Sequence, residues 1–197
     1  LTVAQFNLGF AGTIAVRASV VQALIHDYLV SLAHHGFRHF YFVNGHGANV
    51  AVANAAFQDL YLERSLRARE DAGPALRCRL RSWWEFDEVN RLRQALYAEA
   101  EGLHATPSEI SLAQLAVPET VRDIPVSPEK PLSAAYMRDH AGDRHFDAHE
   151  HRAMHPRGPV GSHPGLACAE HGAQLLAAAA GAVVSDFEYF VSAEDRG

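Results

Sequence analysis

Phe37-Arg38-His39-Phe40-Tyr41-Phe42-Val43 is an aromatic and β-branched run that feeds directly into Asn44-Gly45-His46-Gly47-Ala48-Asn49. The run is long enough for one buried strand and too short for a helix. Upstream, Val20, Val21, Leu24, Ile25, Tyr28, Leu29 and Leu32 recur at spacings of three and four, which predicts an amphipathic helix from Ser19 to Leu32 with Ser19 as its cap. Gly36, after His34 and His35, marks its end. Beyond the loop, Val50, Ala53, Phe57, Leu60 and Tyr61 restore the helical period, with Asn49 as a candidate cap. Helix, strand, glycine-rich turn and helix in this order predict an α/β fold of three layers. A central, mostly parallel sheet is flanked by helices, and ligands sit at the carboxyl ends of its strands. His46 stands at such an end.

Further along, Leu76 to Trp83 reads as a second strand, Ile110 to Leu115 opens a helix, and Leu166 to Ala180 is helical again. Val183 to Val191 reads as a last strand or extended tail, and residues 1–6 as the middle of a strand. Pro118 to Pro164 is rich in Pro, Gly, His and charge, which predicts an irregular excursion with one short helix. One domain over residues 1–197 suits a chain of this length.

Composition narrows the function. Seventeen Lys+Arg against 23 Asp+Glu give a formal charge of -6, which speaks against a surface that tracks nucleic-acid phosphates. Cys78 and Cys168 cannot build a disulfide framework or a zinc knuckle, so both read as buried thiols of a reducing cytoplasm. The small-residue stretch Leu175 to Val184 is too short to cross a bilayer, and no membrane segment is expected.

Two pieces carry ligand-type chemistry. Gly45 and Gly47 leave the His46 imidazole uncrowded at the strand tip, where it serves a metal or polar substrate, or else decorates an ordinary Asn/Gly turn. In His104-Ala105-Thr106-Pro107-Ser108-Glu109, an imidazole and a carboxylate lie five residues apart just before a helix. Both types suit zinc or manganese and general acid/base work. Glu109 equally suits a first helical turn capped by Ser108 or Thr106. From Asp139 to His155 the chain is dense in ligand-type residues, including Asp143, His145, Asp147, His149, Glu150 and His151. No spacing there sets two ligands on one helical face, which favours a solvated loop or a subunit contact over a metal tract.

Taken in order, these pieces resemble the creatininase family of metal-dependent amidohydrolases. The resemblance runs from Gly9-Phe10-Ala11-Gly12-Thr13-Ile14 through the loop at 44–49, Ser82-Trp83-Trp84-Glu85-Phe86 and the segment at 104–109. It closes with Val160-Gly161-Ser162-His163-Pro164 leading into Ala167-Cys168-Ala169-Glu170-His171-Gly172. It implies a hydrolase of a cyclic or linear amide C–N bond, with one or two divalent ions, Zn or Mn, activating the attacking water. By the same resemblance His46 and Glu109 bind metal, while His104, with Glu109, performs catalysis. Gly12, Thr13, Gly47 and Trp84 line the pocket for a small-molecule amide, and the protein is a homo-oligomer. Departures matter as well. Ala48 stands where a glutamate ligand belongs, and Ala100 where a tryptophan precedes the histidine by four residues, so creatinine specificity is not implied. The Glu-x-His-Gly-x-His segment that carries the other ligands would lie upstream of residue 1, and its loss from the sequence is the expectation. A non-catalytic relative that keeps the fold as an oligomerising or binding module is therefore the rival reading. A nucleotide-binding reading of Gly45-His46-Gly47 lacks the third glycine and the acidic residue of that fingerprint.

Overall fold

The computed structural model describes residues 2–122, 126–140 and 147–192. Helix α1 covers Ala18–His34, strand β1 His39–Asn44, α2 Asn49–Ser65 and β2 Arg77–Ser82. Then come α3 at Asp87–Tyr97, α4 at Pro107–Ala116, α5 at Ala134–Asp139, α6 at Ala148–Met154 and α7 at Ala169–Ser192. The two strands pair in parallel, with His39 opposite Arg77 and Asn44 opposite Ser82, and α2 forms the crossover that such a pair requires.

Period-two alternation sorts the two faces of the sheet. Phe40, Phe42, Cys78 and Leu80 turn toward α1 and α2 and join Leu29, Ala53, Phe57 and Leu60 in one core. On the opposite face Tyr41, Arg79 and Arg81 meet α7. Asp186 accepts from the Tyr41 hydroxyl at 2.8 Å, from Arg79 at 3.1 Å and from Arg81 at 3.1 Å and 3.3 Å. Phe187 and Phe190 stack edge-on and tilted against Tyr41. A second core joins α3, α4 and α7 around Val89, Tyr97, Leu175 and Ala179. At its centre Gly172 lets α7 approach α4 so closely that a Cβ would lie 2.2 Å from the Ser111 carbonyl oxygen. The α/β architecture, a parallel sheet between helices, is the one expected, with a sheet of two strands among the described residues.

Several local expectations change. Residues 5–9 form a 3-10 turn, not a strand, because Phe6 buries inward and no strand among the described residues offers it a ladder. The tail predicted at 183–191 continues α7, since Asp186, Phe187 and Phe190 fall at helical spacing and face the sheet. With that extension α7 is, by length and composition alone, apolar enough to cross a membrane, contrary to the reading of the shorter stretch. In this fold it lies against α4, α3 and β1. Ser19 and Asn49 are not the cap residues: α1 begins after Arg17, and α2 after Ala48. Helix α3 was not anticipated, although Val89, Leu92 and Leu96 carry its stripe. Among the described residues, the excursion 118–164 holds the short α-helices α5 and α6, each with a side-chain cap, Ser133 on Tyr136 N–H and Asp147 on His149 and Glu150 N–H. Asp143, Arg144 and His145 lie outside the described residues.

Candidate active site

The carboxyl ends of β1 and β2 open on one cavity of about 460 Å³, large enough for a small molecule. Asn44, buried at the end of β1, shapes the loop that follows. Its Oδ1 accepts from His46 N–H at 3.1 Å, and its Nδ2 donates to the His46 carbonyl at 2.9 Å and to Ser82 Oγ at 3.0 Å. One side chain thus ties the His46 loop to the neighbouring strand. Ala48 N–H donates to His46 Nδ1 at 3.2 Å, so in the neutral ring the proton sits on Nε2.

The second wall is the 101–109 segment. Leu103 N–H donates to the Val160 carbonyl at 2.9 Å, and Val160 N–H returns a bond to His104 O at 3.2 Å. Ser162 Oγ donates to His104 O at 2.6 Å and Ala105 O at 3.1 Å. Gly102, at φ +63, rests on the 160–162 backbone where a Cβ would come within 2.5 Å. Ala105 takes φ 50, a left-handed conformation that costs a side-chain-bearing residue about 1 kcal/mol. His104 is thereby aimed into the cavity on a backbone held from several directions. Glu109 lines the same space while completing a capping box: Thr106 N–H donates to its Oε2 at 3.0 Å, and Thr106 Oγ1 accepts from Glu109 N–H at 3.2 Å. Glu101, buried behind this wall, takes Arg93 Nε at 3.0 Å and Nη2 at 2.8 Å and also accepts from Ser108.

Helices α5 and α6 supply the third wall with Tyr136, Met137, His140 and His151. Tyr136 stacks on His140 at 3.8 Å and shares a hydrogen bond of 3.1 Å with His155 Nε2. Burial pushes the Tyr136 hydroxyl up, and burial with nearby His140 pushes His155 down against the opposing pull of Glu129. Phe6 stands among the imidazoles, with centroids 6.1 Å from His46, 6.0 Å from His104 and 5.0 Å from His151.

Of the residues singled out in the sequence, His46, Gly47, Trp84, His104 and Glu109 line this one cavity. Gly12 and Thr13 are not among its lining residues; Thr13 N–H closes a turn on Phe10 O, and Gly12 supplies the positive φ of 88 that the turn requires. Phe6, Arg93, Tyr136, His140 and His151 went unrecognised as site residues. Within 139–155, expected as a solvated loop or a subunit contact, His151 is buried at 4% exposure. The histidine content of that segment was the only signal, since the cap on Asp147 that turns His151 inward is visible only with the helix formed.

A parallel α/β fold with a histidine-rich, aromatic cavity at its strand ends is the arrangement in which proteins of this class hold small ligands. The family model for creatininase, creatinine amidohydrolase, matches residues 1–187, and the chain belongs to the creatininase family, hydrolases of amide C–N bonds. No curated protein matches it. Among solved structures, a creatininase variant with glutamate changed to glutamine, in a Zn–Zn form, is 24% identical, with TM-score 0.70 over 96% of this chain and 72% of that one. A Mn form of creatininase is 23% identical, with TM-score 0.68 over 92% and 68%. The same glutamine variant complexed with creatine aligns equally, at 23% identity and TM-score 0.68 over 92% and 68%.

Two of these solved creatininases are Zn and Mn forms, and the described residues of this chain supply only part of a site for such an ion. Among them no three His, Cys, Asp or Glu side chains stand close enough to share an ion. A ligating imidazole donates its second N–H outward, whereas Nδ1 of His46 accepts from Ala48 N–H, so His46 would offer Nε2 to an ion only on giving up that bond.

Proposed function

We propose that the cavity binds a small cyclic or linear amide and hydrolyses its C–N bond, and that residues 1–197 act as a single creatininase-like domain. The observation that carries this reading is the meeting of His46, Gly47, Trp84, His104 and Glu109, distant in sequence, around one space in a chain of this family. Trp84 and Gly47 bed the substrate. Water adds its oxygen to the carbonyl carbon and gives a proton to Glu109 through the oxygen not committed to Thr106. The C–N bond then breaks as His104 delivers a proton to the leaving nitrogen, yielding a carboxylic acid and an amine, and the proton left on Glu109 passes to solvent while His104 takes one up. The finer form of the reading adds Zn or Mn, with His46 and Glu109 among its ligands, as the metal forms of the solved relatives suggest. No step here depends on that ion. Assembly as a homo-oligomer in a reducing cytoplasm, consistent with two free thiols, belongs to the same reading.

The test is amine release from a panel of small amides. His104→Ala is expected to slow release by about 10²-fold or more; unchanged turnover removes His104 from the mechanism. Elemental analysis of the purified full chain is expected to find metal that His46→Ala abolishes, and undiminished content would sink that assignment. A second reading, a metal-poor binding module, draws support from the missing third ligand among the described residues. It prevails if less than about a tenth of an ion is held per chain and the wild type binds amides without releasing amine.

A further inference from the structure

Helix α6 packs extensively, among the described elements, only against the 3-10 turn Gln5–Gly9. Phe6 meets its His151 edge-on, at 5.0 Å and 67°. Gly9 comes so near that a Cβ there would lie 2.9 Å from the Ala148 carbonyl oxygen and 2.9 Å from Arg152 Cβ. The Arg152 guanidinium lies over the Phe10 ring at 4.2 Å. Helix α6 is tied in turn to α5 by the bond between Tyr136 and His155. Helices of 6 and 7 residues have no stability of their own, so these contacts decide their order. Between them α5 and α6 carry Tyr136, Met137, His140 and His151, one whole wall of the cavity.

We propose that α5 and α6 form a lid over the cavity and that the turn Gln5–Gly9 is its latch, so that parting of the Gly9–α6 contact admits small molecules. What enters rests on the proposed amide chemistry; the lid itself does not. Both tryptophans of the chain, Trp83 and Trp84, line the cavity, so quenching of their fluorescence by acrylamide, a neutral small amide, reads access directly. Gly9→Ala drives a methyl group between latch and lid while leaving every core side chain in place. It is expected to raise the quenching slope about twofold and to raise hydrogen exchange at 148–154 about tenfold, with β1 and α7 unchanged. Arg152→Ala, which adds no atoms, should move both readouts the same way by less. Unchanged quenching in both variants overturns the lid, as does a rise in exchange spread equally over β1 and α7. Neither readout needs turnover, so failure here is separable from failure of the hydrolase reading.

Discussion

Replacing Asn44 with alanine should loosen the His46 loop at its root. The side chain is 5% exposed and makes hydrogen bonds of 2.9, 3.0 and 3.1 Å to the His46 carbonyl, Ser82 Oγ and His46 N–H. Each is worth about 1 kcal/mol net. Ser82 is 1% exposed, so its hydroxyl would lose a partner where water does not reach, while the loop groups of His46 are half-buried and partly rehydrate. The sum is about 3 kcal/mol, or roughly 6–12 °C in Tm for a chain of this size. Urea unfolding followed by tryptophan fluorescence measures it. Ser82→Ala alone should cost about 1 kcal/mol, and the double variant less than the sum, because the two substitutions share one bond. A loss below about 1 kcal/mol for Asn44→Ala would refute the claim that this asparagine, rather than the glycines beside it, holds the loop.

Asp186→Asn keeps the shape but removes the charge facing Arg79 and Arg81, and should cost about 2 kcal/mol by thermal melting. Although burial pushes the Asp186 carboxyl up, its bonds to Arg81, Tyr41 and Arg79 outweigh it and hold the group below its ordinary 3.8. Its contribution is therefore complete above that value and lost as pH falls through the lower folded value, and the Asn variant should lack this acid limb. Gly172→Ala sets a methyl group against the Ser111 carbonyl, which is backbone and cannot step aside; a loss of about 2 kcal/mol or more in urea is expected. His155 is held below its ordinary 6.5, so the stability it contributes is complete above 6.5 and lost as pH falls through its lower folded value. Protection factors for α6 should drop on acidification in the wild type and less in His155→Gln; His140, His151 and Glu129, which face the same ring, set the residual slope.

What could be read from residues alone follows the periods. Both strands and the helices around the sheet emerged because Phe40, Phe42, Ile25 and Leu29 repeat at intervals one face dictates. The continuation of α7 was missed because Val183, Val184 and Tyr189 have strand propensity, and the contact of Asp186 with two arginines on another strand overrides it. At the site, His46 and His104 were legible since short motifs put them beside glycines or helix starts. Phe6 was not: a phenylalanine in a five-residue turn has no pattern, and its place among imidazoles exists only once α6 has docked. Glycines 9, 102 and 172 are likewise silent in sequence, because the close approach each permits is to chain far away.

Glu109 carries both a structural and a chemical assignment, and one substitution separates them. Its Oε2 accepts from Thr106 N–H, and its own N–H reaches Thr106 Oγ1, so alanine there would lose the capping box along with any chemistry, at about 1 kcal/mol. Glutamine keeps the box, since its carbonyl oxygen accepts as the carboxylate does, but cannot take a proton from water or offer an anionic ligand. Glu109→Gln should therefore unfold within about 0.5 kcal/mol of wild type while amine release falls by about 10²-fold or more. If Glu109→Gln turns over as wild type does, the carboxylate is a cap that happens to face the cavity. If it is as unstable as Glu109→Ala, the charge acts through the first turn of α4 and its dipole, and the box geometry is secondary. Only loss of turnover with stability kept makes Glu109 a catalytic residue.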